Sequence, residues 1–193
     1  MKVQFIDREL ANEIAYDGSQ LRSLYAYLEH GILGDSLIAW VGPCEVSLDH
    51  MVDGEDVLAK ASIRGARMVH FVLEKFGATL PEMVAVQRLL ASTVKDILSE
   101  KSDRLRLRRE GDDIYVGLPD GEGKLSISIA TVSPVSGLIH FAVNVTNKGT
   151  PVKTASLEDL GVAARDFADQ VLKQFGQELS SAREATQKVK WVR

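Results

Sequence analysis

Two alternating apolar segments, Lys124 to Val132 and Leu138 to Val145, are joined by only Ser133-Pro134-Val135-Ser136-Gly137. Parallel strands need a crossover of about a dozen residues or more, so a link this short makes them an antiparallel hairpin. In the first segment Leu125, Ile127 and Ile129 share one face and Lys124, Ser126 and Ser128 the other. In the second, Ile139, Phe141, Val143 and Val145 alternate with His140, Asn144 and Thr146. A loop centred on Val135 sets even numbers against even: Ala130 beside His140, Ser128 beside Ala142, Ser126 beside Asn144. Both polar faces then coincide, because residues opposite each other across an antiparallel pair point the same way.

The rest of the chain supplies helices and further strands. Val3 to Ile6 reads as a short strand, and Ser19 caps a helix to about His30 with Leu21, Leu24, Tyr25 and Leu28 on one face. Leu37 to Val41 is a β-rich run closed by Gly42-Pro43, and Gly54 to Ala59 a helical turn. Ala66 to Phe76 reads as a helix with Met68, Val69, Val72, Leu73 and Phe76 inward. Pro81 opens a longer helix to Glu100, carrying Met83, Val86, Leu90, Val94, Ile97 and Leu98. Leu105 and Leu107 alternate with Arg104, Arg106 and Arg108, and Glu110-Gly111-Asp112 turns into a strand at Ile114 to Val116. Pro119-Asp120-Gly121 is another turn. Ser156 with Asp159 resembles a capping box before a helix over Ala163 to Ala182, and Lys188 to Val192 reads as a last strand. Strands that follow one another without intervening helices point to an α+β fold: a mixed, largely antiparallel sheet with helices packed on one face. Even composition and the absence of a linker imply one domain over residues 1–193.

Composition excludes several roles. A formal net charge of -4 argues against general binding to nucleic-acid backbone, which needs excess Lys and Arg. No segment approaches the roughly 20 apolar residues that span a bilayer, so no membrane partner is expected. Acidic residues enter at once and no apolar leader is present, and Cys44 is the only cysteine. Together these imply a reducing, cytoplasmic location.

The candidate site is the polar face of the hairpin. Lys124, His140, Ser126, Ser128 and Asn144 offer an amine, an imidazole, hydroxyls and an amide, with few long side chains to fill the space above them. Such a surface is either a floor for a small ligand or the wet side of an antiparallel sheet. Lys124, His140 and Asp113 are the candidate catalytic groups. Asp112-Asp113 can supply acid, base or metal ligands, or simply close a hairpin. Arg104, Arg106, Arg108 and Arg109 can meet an anion or blunt an edge strand. Asp17 and Arg22, with Asp35 and Ser36, stand beside glycines and are candidate ligand contacts. The spacing of Cys44, His50 and His70 fits no compact metal motif, so no metal is expected.

Several blocks resemble the family known as domain of unknown function 366. They are Asp17-Gly18-Ser19 with Arg22, Gly31-Ile32-Leu33-Gly34-Asp35-Ser36, Met51-Val52-Asp53 with Glu55-Asp56, Gly111 to Val116, and Lys124 to Val135. More distantly, the run from Asp112 to Ser128, with Gly123-Lys124-Leu125-Ser126 before a strand, is similar to the lysine segment of lipoate and biotin protein ligases. That resemblance implies their fold and gives Lys124 contact with a substrate carboxylate and an adenylate phosphate. It also implies ATP, but Ile127 stands where those ligases have glycine. Between Val41 and Ala66 only Ser62-Ile63-Arg64-Gly65 stands against their arginine- and glycine-rich loop. The cofactor is therefore open. The expectation is an acyl-transferase or ligase-like enzyme acting on a small carboxylate, with a non-catalytic small-molecule binder and a scaffold as alternatives. A small-molecule ligand is the expected partner, and a homodimer is compatible with the sequence.

Overall fold

The computed structural model describes residues 1–7, 12–101 and 106–192. Its strands are β1 (Lys2–Phe5), β2 (Ser36–Val46), β3 (Ile63–Phe76), β4 (Leu107–Glu110), β5 (Asp113–Leu118), β6 (Gly121–Lys124), β7 (Ser126–Val132) and β8 (Ser136–Asn144). Its helices are α1 (Tyr25–His30), α2 (Gly54–Ala59), α3 (Leu80–Ser99) and α4 (Ala164–Gln187). A five-stranded sheet runs β1-β2-β3-β8-β7, and β4-β5-β6 form a second, three-stranded sheet. All pairings are antiparallel except β1 with β2. The fold is a mixed α+β arrangement with a largely antiparallel sheet, as the consecutive strands require.

Side-chain parity sorts the large sheet into two faces. Leu37, Ala39, Val69, Phe71, Leu73, Ile139, Phe141 and Val143 face α3 and α4, where they meet Met83, Leu90, Val94, Phe167 and Phe175. The opposite face carries Ile38, Trp40, Met68, Val72 and Ala142 and is covered by Tyr16, Tyr25, Ala26 and Ile32. Gly137 lets α3 approach, since a Cβ there would lie 2.2 Å from Met83 Cγ.

Three expectations fail. Ala66 to Phe76 is not a helix but the inner part of β3, between β2 and β8. Its apolar positions satisfy a helical period only because a central strand buried on both faces is apolar throughout, and its Val and Phe content favours extension. The helix expected from Ser19 shrinks to α1, because Leu24 is left-handed (φ 65°) with its N–H spent on both carboxylate oxygens of buried Glu74, at 2.9 and 3.0 Å. Lys188 to Val192 pairs with nothing among the described residues and is not a strand. Arg104 and Leu105 lie outside the described residues.

The hairpin register also differs from expectation by one residue. Ser126 lies opposite Val143, Ser128 opposite Phe141 and Ile129 opposite His140. Ser126 and Ser128 therefore turn to the helix face, while Ile127 and Ile129 share a face with His140 and Asn144. The turn is responsible: Ser133 N–H donates to Ser136 O (2.7 Å), and Ser133 Oγ accepts from the N–H groups of Val135 (3.2 Å) and Ser136 (2.9 Å). That closes a four-residue loop, with Val132 opposite Gly137.

Candidate functional site

Where β2 passes β3, a bulge falls between Gly42 and Cys44. Only glycine fits at position 42, because a Cβ would sit 2.1 Å from Ile14 O. The bulge brings in residue 16: Tyr16 N–H donates to Pro43 O (2.8 Å) and Glu45 N–H to Tyr16 O (2.9 Å). Tyr16 is thereby laid flat on His140, with ring centroids 3.5 Å apart and planes 6° from parallel. His140 meets His70 from the neighbouring strand, Nε2 to Nδ1 at 3.1 Å, and His70 Nε2 meets Gly42 O at 3.1 Å. Trp40 stacks on the far side of His70.

A carbonyl only accepts, so the tautomers follow from the network. His70 carries its proton on Nε2 and presents a bare Nδ1. His140 must then donate from Nε2, which leaves its own Nδ1 as a lone pair. Burial holds both rings neutral: the His70 imidazole is pushed down to about 4, and His140 lies well below the ordinary imidazole value through burial and then the neighbouring His70. Burial likewise raises the Tyr16 phenol, and pushes the Cys44 thiol up to about 12. His140 is thus a neutral acceptor and a stacking surface, a weaker proton carrier than its residue type promised.

The ionic part of the site comes from the second sheet. Glu110 pairs with Asp113, so Gly111-Asp112 is a two-residue hairpin turn and Asp113 opens β5. Lys124 closes β6, and its Nζ lies 2.8 Å from Asp113 Oδ2, which also accepts from Tyr115 Oη at 3.3 Å. Each side chain is about three-tenths exposed (31% and 28%). Solvent therefore screens the pair, and its value is positional more than energetic. The Lys124 backbone is fixed by Asn144, whose Nδ2 donates to Lys124 O and Ala155 O, both at 3.1 Å.

These groups line one hollow of about 530 Å³, a size that suits a small molecule. Lys124 and Asp113 stand at its wall with Arg64, and Tyr16, His140 and Met68 also line it. Ser126, Ser128 and Asn144 belong to the lining but have their polar atoms engaged. Ser126 Oγ accepts from Ile114 N–H (3.0 Å), while Ser128 Oγ donates to Asp112 Oδ2 (2.6 Å) and accepts from Gln87 Nε2 (2.9 Å). Asp112, also bonded by Gln87, is thereby a tether to α3.

The remaining candidates lie elsewhere. Asp17 forms an Asx turn with Ser19 N–H (2.9 Å), and the Ser19 side chain, then that backbone bond, holds its carboxyl below the ordinary aspartate value. Arg22 pairs with Glu29 (2.7 Å). Asp35 accepts from Phe76 N–H (2.9 Å), and Ser36 lies opposite Glu74, itself opposite Leu138. Asn144 lies six steps along β8 from Leu138, about 20 Å of strand, so Asp35 and Ser36 sit at the far end of the sheet. Arg108 is spent on Glu110 and Glu122 (2.7 and 2.8 Å) and covers the Tyr115 ring. Among the described residues no three His, Cys, Asp or Glu side chains gather as metal ligands. Tyr16 and Arg64 line the hollow without being among the expected ligand contacts, and His70 lies buried behind it. A correct strand assignment for 63–76 would have placed His70 beside His140; Tyr16 gave no signal, because the bulge that seats it is a tertiary feature.

Comparison with known proteins agrees with this architecture. The family described as domain of unknown function (DUF366) matches residues 1–190. An uncharacterized protein of Methanocaldococcus jannaschii is 33% identical over 157 residues, which are 78% of this chain and 68% of that protein. A solved protein of unknown function from Pyrococcus horikoshi is 39% identical, superposes with a TM-score of 0.92, and is covered over 99% of its length by all of this chain. At the level of fold alone, 95% of the chain superposes on 72% of the biotin protein ligase from Aquifex aeolicus in complex with biotin and ATP (TM-score 0.58, 14% identity). A bipartite lipoate protein ligase from Thermoplasma acidophilum is similar over 92% of this chain and 82% of that one (TM-score 0.53, 15% identity).

Proposed function

The chain belongs to the family described as domain of unknown function 366, built on the fold of biotin and lipoate protein ligases, and from that premise we propose that its hollow binds a small carboxylic acid for activation or transfer of the acyl group. The observation that carries this reading is the Lys124 ammonium, which lines the hollow with Asp113 at 2.8 Å. An ammonium has three donors, so a ligand carboxylate can share it with Asp113 or displace that partner. Negative charge grows on carboxyl oxygens as an acyl group is activated, and a fixed cation favours that change. Asp113 is the group beside Lys124 able to take a proton. Tyr16, Met68 and His140 supply a less polar wall for the rest of the ligand.

A binder without turnover is the second reading. It is favoured by the two imidazoles that burial keeps neutral, and by the chain from the end of β2 to the start of β3, which has no glycine-rich loop and reaches Arg64 only as β3 begins.

The test is a thermal-shift and calorimetric screen of small carboxylic acids with and without ATP, followed by product analysis, on the native chain and on Lys124→Ala. Binding that depends on Lys124, with a changed ligand, supports the enzyme; binding with the ligand recovered intact supports the binder. Undiminished binding or turnover in Lys124→Ala, with folding preserved, refutes the role given to this lysine.

A further inference from the structure

The segment that follows α4 has strand-like patterning and no strand partner among the described residues. Lys188, Val189, Lys190 and Trp191 alternate charged and apolar side chains, yet Val189 and Trp191 are 74% and 90% exposed. A bare tryptophan with a β-patterned flank is a surface awaiting a cover.

A matching surface exists on the same molecule. β1 is the edge of the five-stranded sheet, and among the described residues no strand lies outside it. Lys2 N–H donates to Asp35 O and Ile6 N–H to Ala39 O, so even-numbered residues face β2. The backbone N–H and C=O groups of Val3 and Phe5 therefore point outward, ready for another strand. Beside this edge runs a groove of about 690 Å³ between β1 and α4. Val3, Phe5, Leu172 and Gly176 make it apolar, while Asp169, paired with Arg165 at 2.8 Å, stands at the wall with Lys173 and Glu184. The helix comes close here, since a Cβ on Gly176 would lie 2.8 Å from Val3 Cγ1.

The segment cannot fill the middle of its own groove. Gly176 lies eleven residues before Gln187, about 16 Å back along α4. Trp191 is four residues beyond Gln187 and reaches at most about 14 Å, less whatever the reversal of direction consumes. A second copy has no such restriction.

We propose that residues 188–192 of one copy add as an outer strand to β1 of a second copy. Val189 and Trp191 lie in the groove, Lys188 and Lys190 point to the opposite face of the added strand, and the exchange is reciprocal about a twofold axis. Backbone pairing gives register, and the alternate side chains give specificity, as in other strand additions.

Sedimentation equilibrium across a wide concentration range tests the assembly, using the native chain, Trp191→Ser and Val3→Glu. Acrylamide quenching of tryptophan fluorescence runs alongside. Trp40 is buried, so Trp191 supplies the quenchable signal. The native chain is expected to dimerise, with Trp191 shielded as dimer forms. Each variant is expected to weaken the dimer at least tenfold, and Trp191→Ser, altered at an exposed position, keeps the monomer fold. A native chain that stays monomeric at all concentrations overturns the proposal. So does a dimer that both variants leave intact, which would place the interface elsewhere, or a monomer whose Trp191 is already shielded, which would place the segment on its own chain.

Discussion

The buried histidine pair makes folding stability depend on pH in a window that other groups barely touch. In the folded chain both rings are neutral, and His70 protonates only near pH 4. In the unfolded chain each takes a proton near pH 6.5. Between those values the unfolded state binds more protons, so stability falls as pH is lowered. The contribution is complete above about pH 7 and declines as pH falls through 6.5 toward 4. For His70 alone the loss is about 2 kcal/mol by pH 5 and about 3 kcal/mol below pH 4. His140 acts in the same direction. Carboxylates held low in the folded chain, such as Asp17 and Glu82, give up their contributions at lower pH, as they protonate. The interval from pH 7.5 to 5 therefore reports mainly on imidazoles.

Urea unfolding across that interval should show a steady fall in midpoint. A loss of about 2 kcal/mol corresponds to roughly 4–8 °C in Tm for a chain of this size. The double variant His70→Phe/His140→Phe keeps ring stacking under Tyr16 and beside Trp40 but removes both titrations. It should be less stable at pH 7.5, because Gly42 O loses its donor, and flatter below it. Ring-proton chemical shifts give a direct check: two of the four histidines should not titrate between pH 7.5 and 5.5. A native chain with flat stability from pH 7.5 to 5, or a double variant with an unchanged slope, refutes the assignment of two neutral buried rings.

Other outcomes follow from local geometry. Lys60 closes α2 in a left-handed conformation (φ 50°) with its side chain exposed, so Lys60→Gly should stabilise the fold by about 0.5–1 kcal/mol in urea unfolding. Glu74→Gln leaves the Leu24 N–H facing an amide that can supply only one oxygen in place of two, and alters the bond from Ser136 Oγ (2.7 Å). The cost should be about 1–3 kcal/mol, with amide exchange accelerating first around α1.

Much of the architecture was legible because it depends on local period and turn chemistry. The α3 positions Met83, Val86, Leu90, Val94, Ile97 and Leu98 are all buried, as their spacing requires. Gly111-Asp112 and Pro119-Asp120 are hairpin turns, as their residue types require. The failures share a cause: information held outside the segment. Residues 66–76 satisfied two periods at once, and only neighbours on both sides decide for a strand. The hairpin register turned on whether Ser133 spends its hydroxyl inside the loop, a choice that moves Ser126 and Ser128 from one face of the sheet to the other.

That one-residue shift changes how the candidate site is built. Lys124 does not reach the hollow by sharing a strand face with Ser126 and Ser128. It arrives from a different sheet, across the break at Leu125, whose N–H goes to Ile114 O (2.8 Å) and whose carbonyl accepts from Asn144 N–H (3.0 Å). The ammonium and its carboxylate partner thus belong to β6 and β5, while the imidazole pair belongs to β8 and β3. Asn144 joins the halves, bonding Lys124 O from the strand that carries His140. A polar amide buried at the junction of two sheets, with both amide protons used, fixes the distance between an ionic wall and a neutral aromatic one. The shape of such a hollow is set less by the residue types on one strand than by the junction that holds two strands from different sheets.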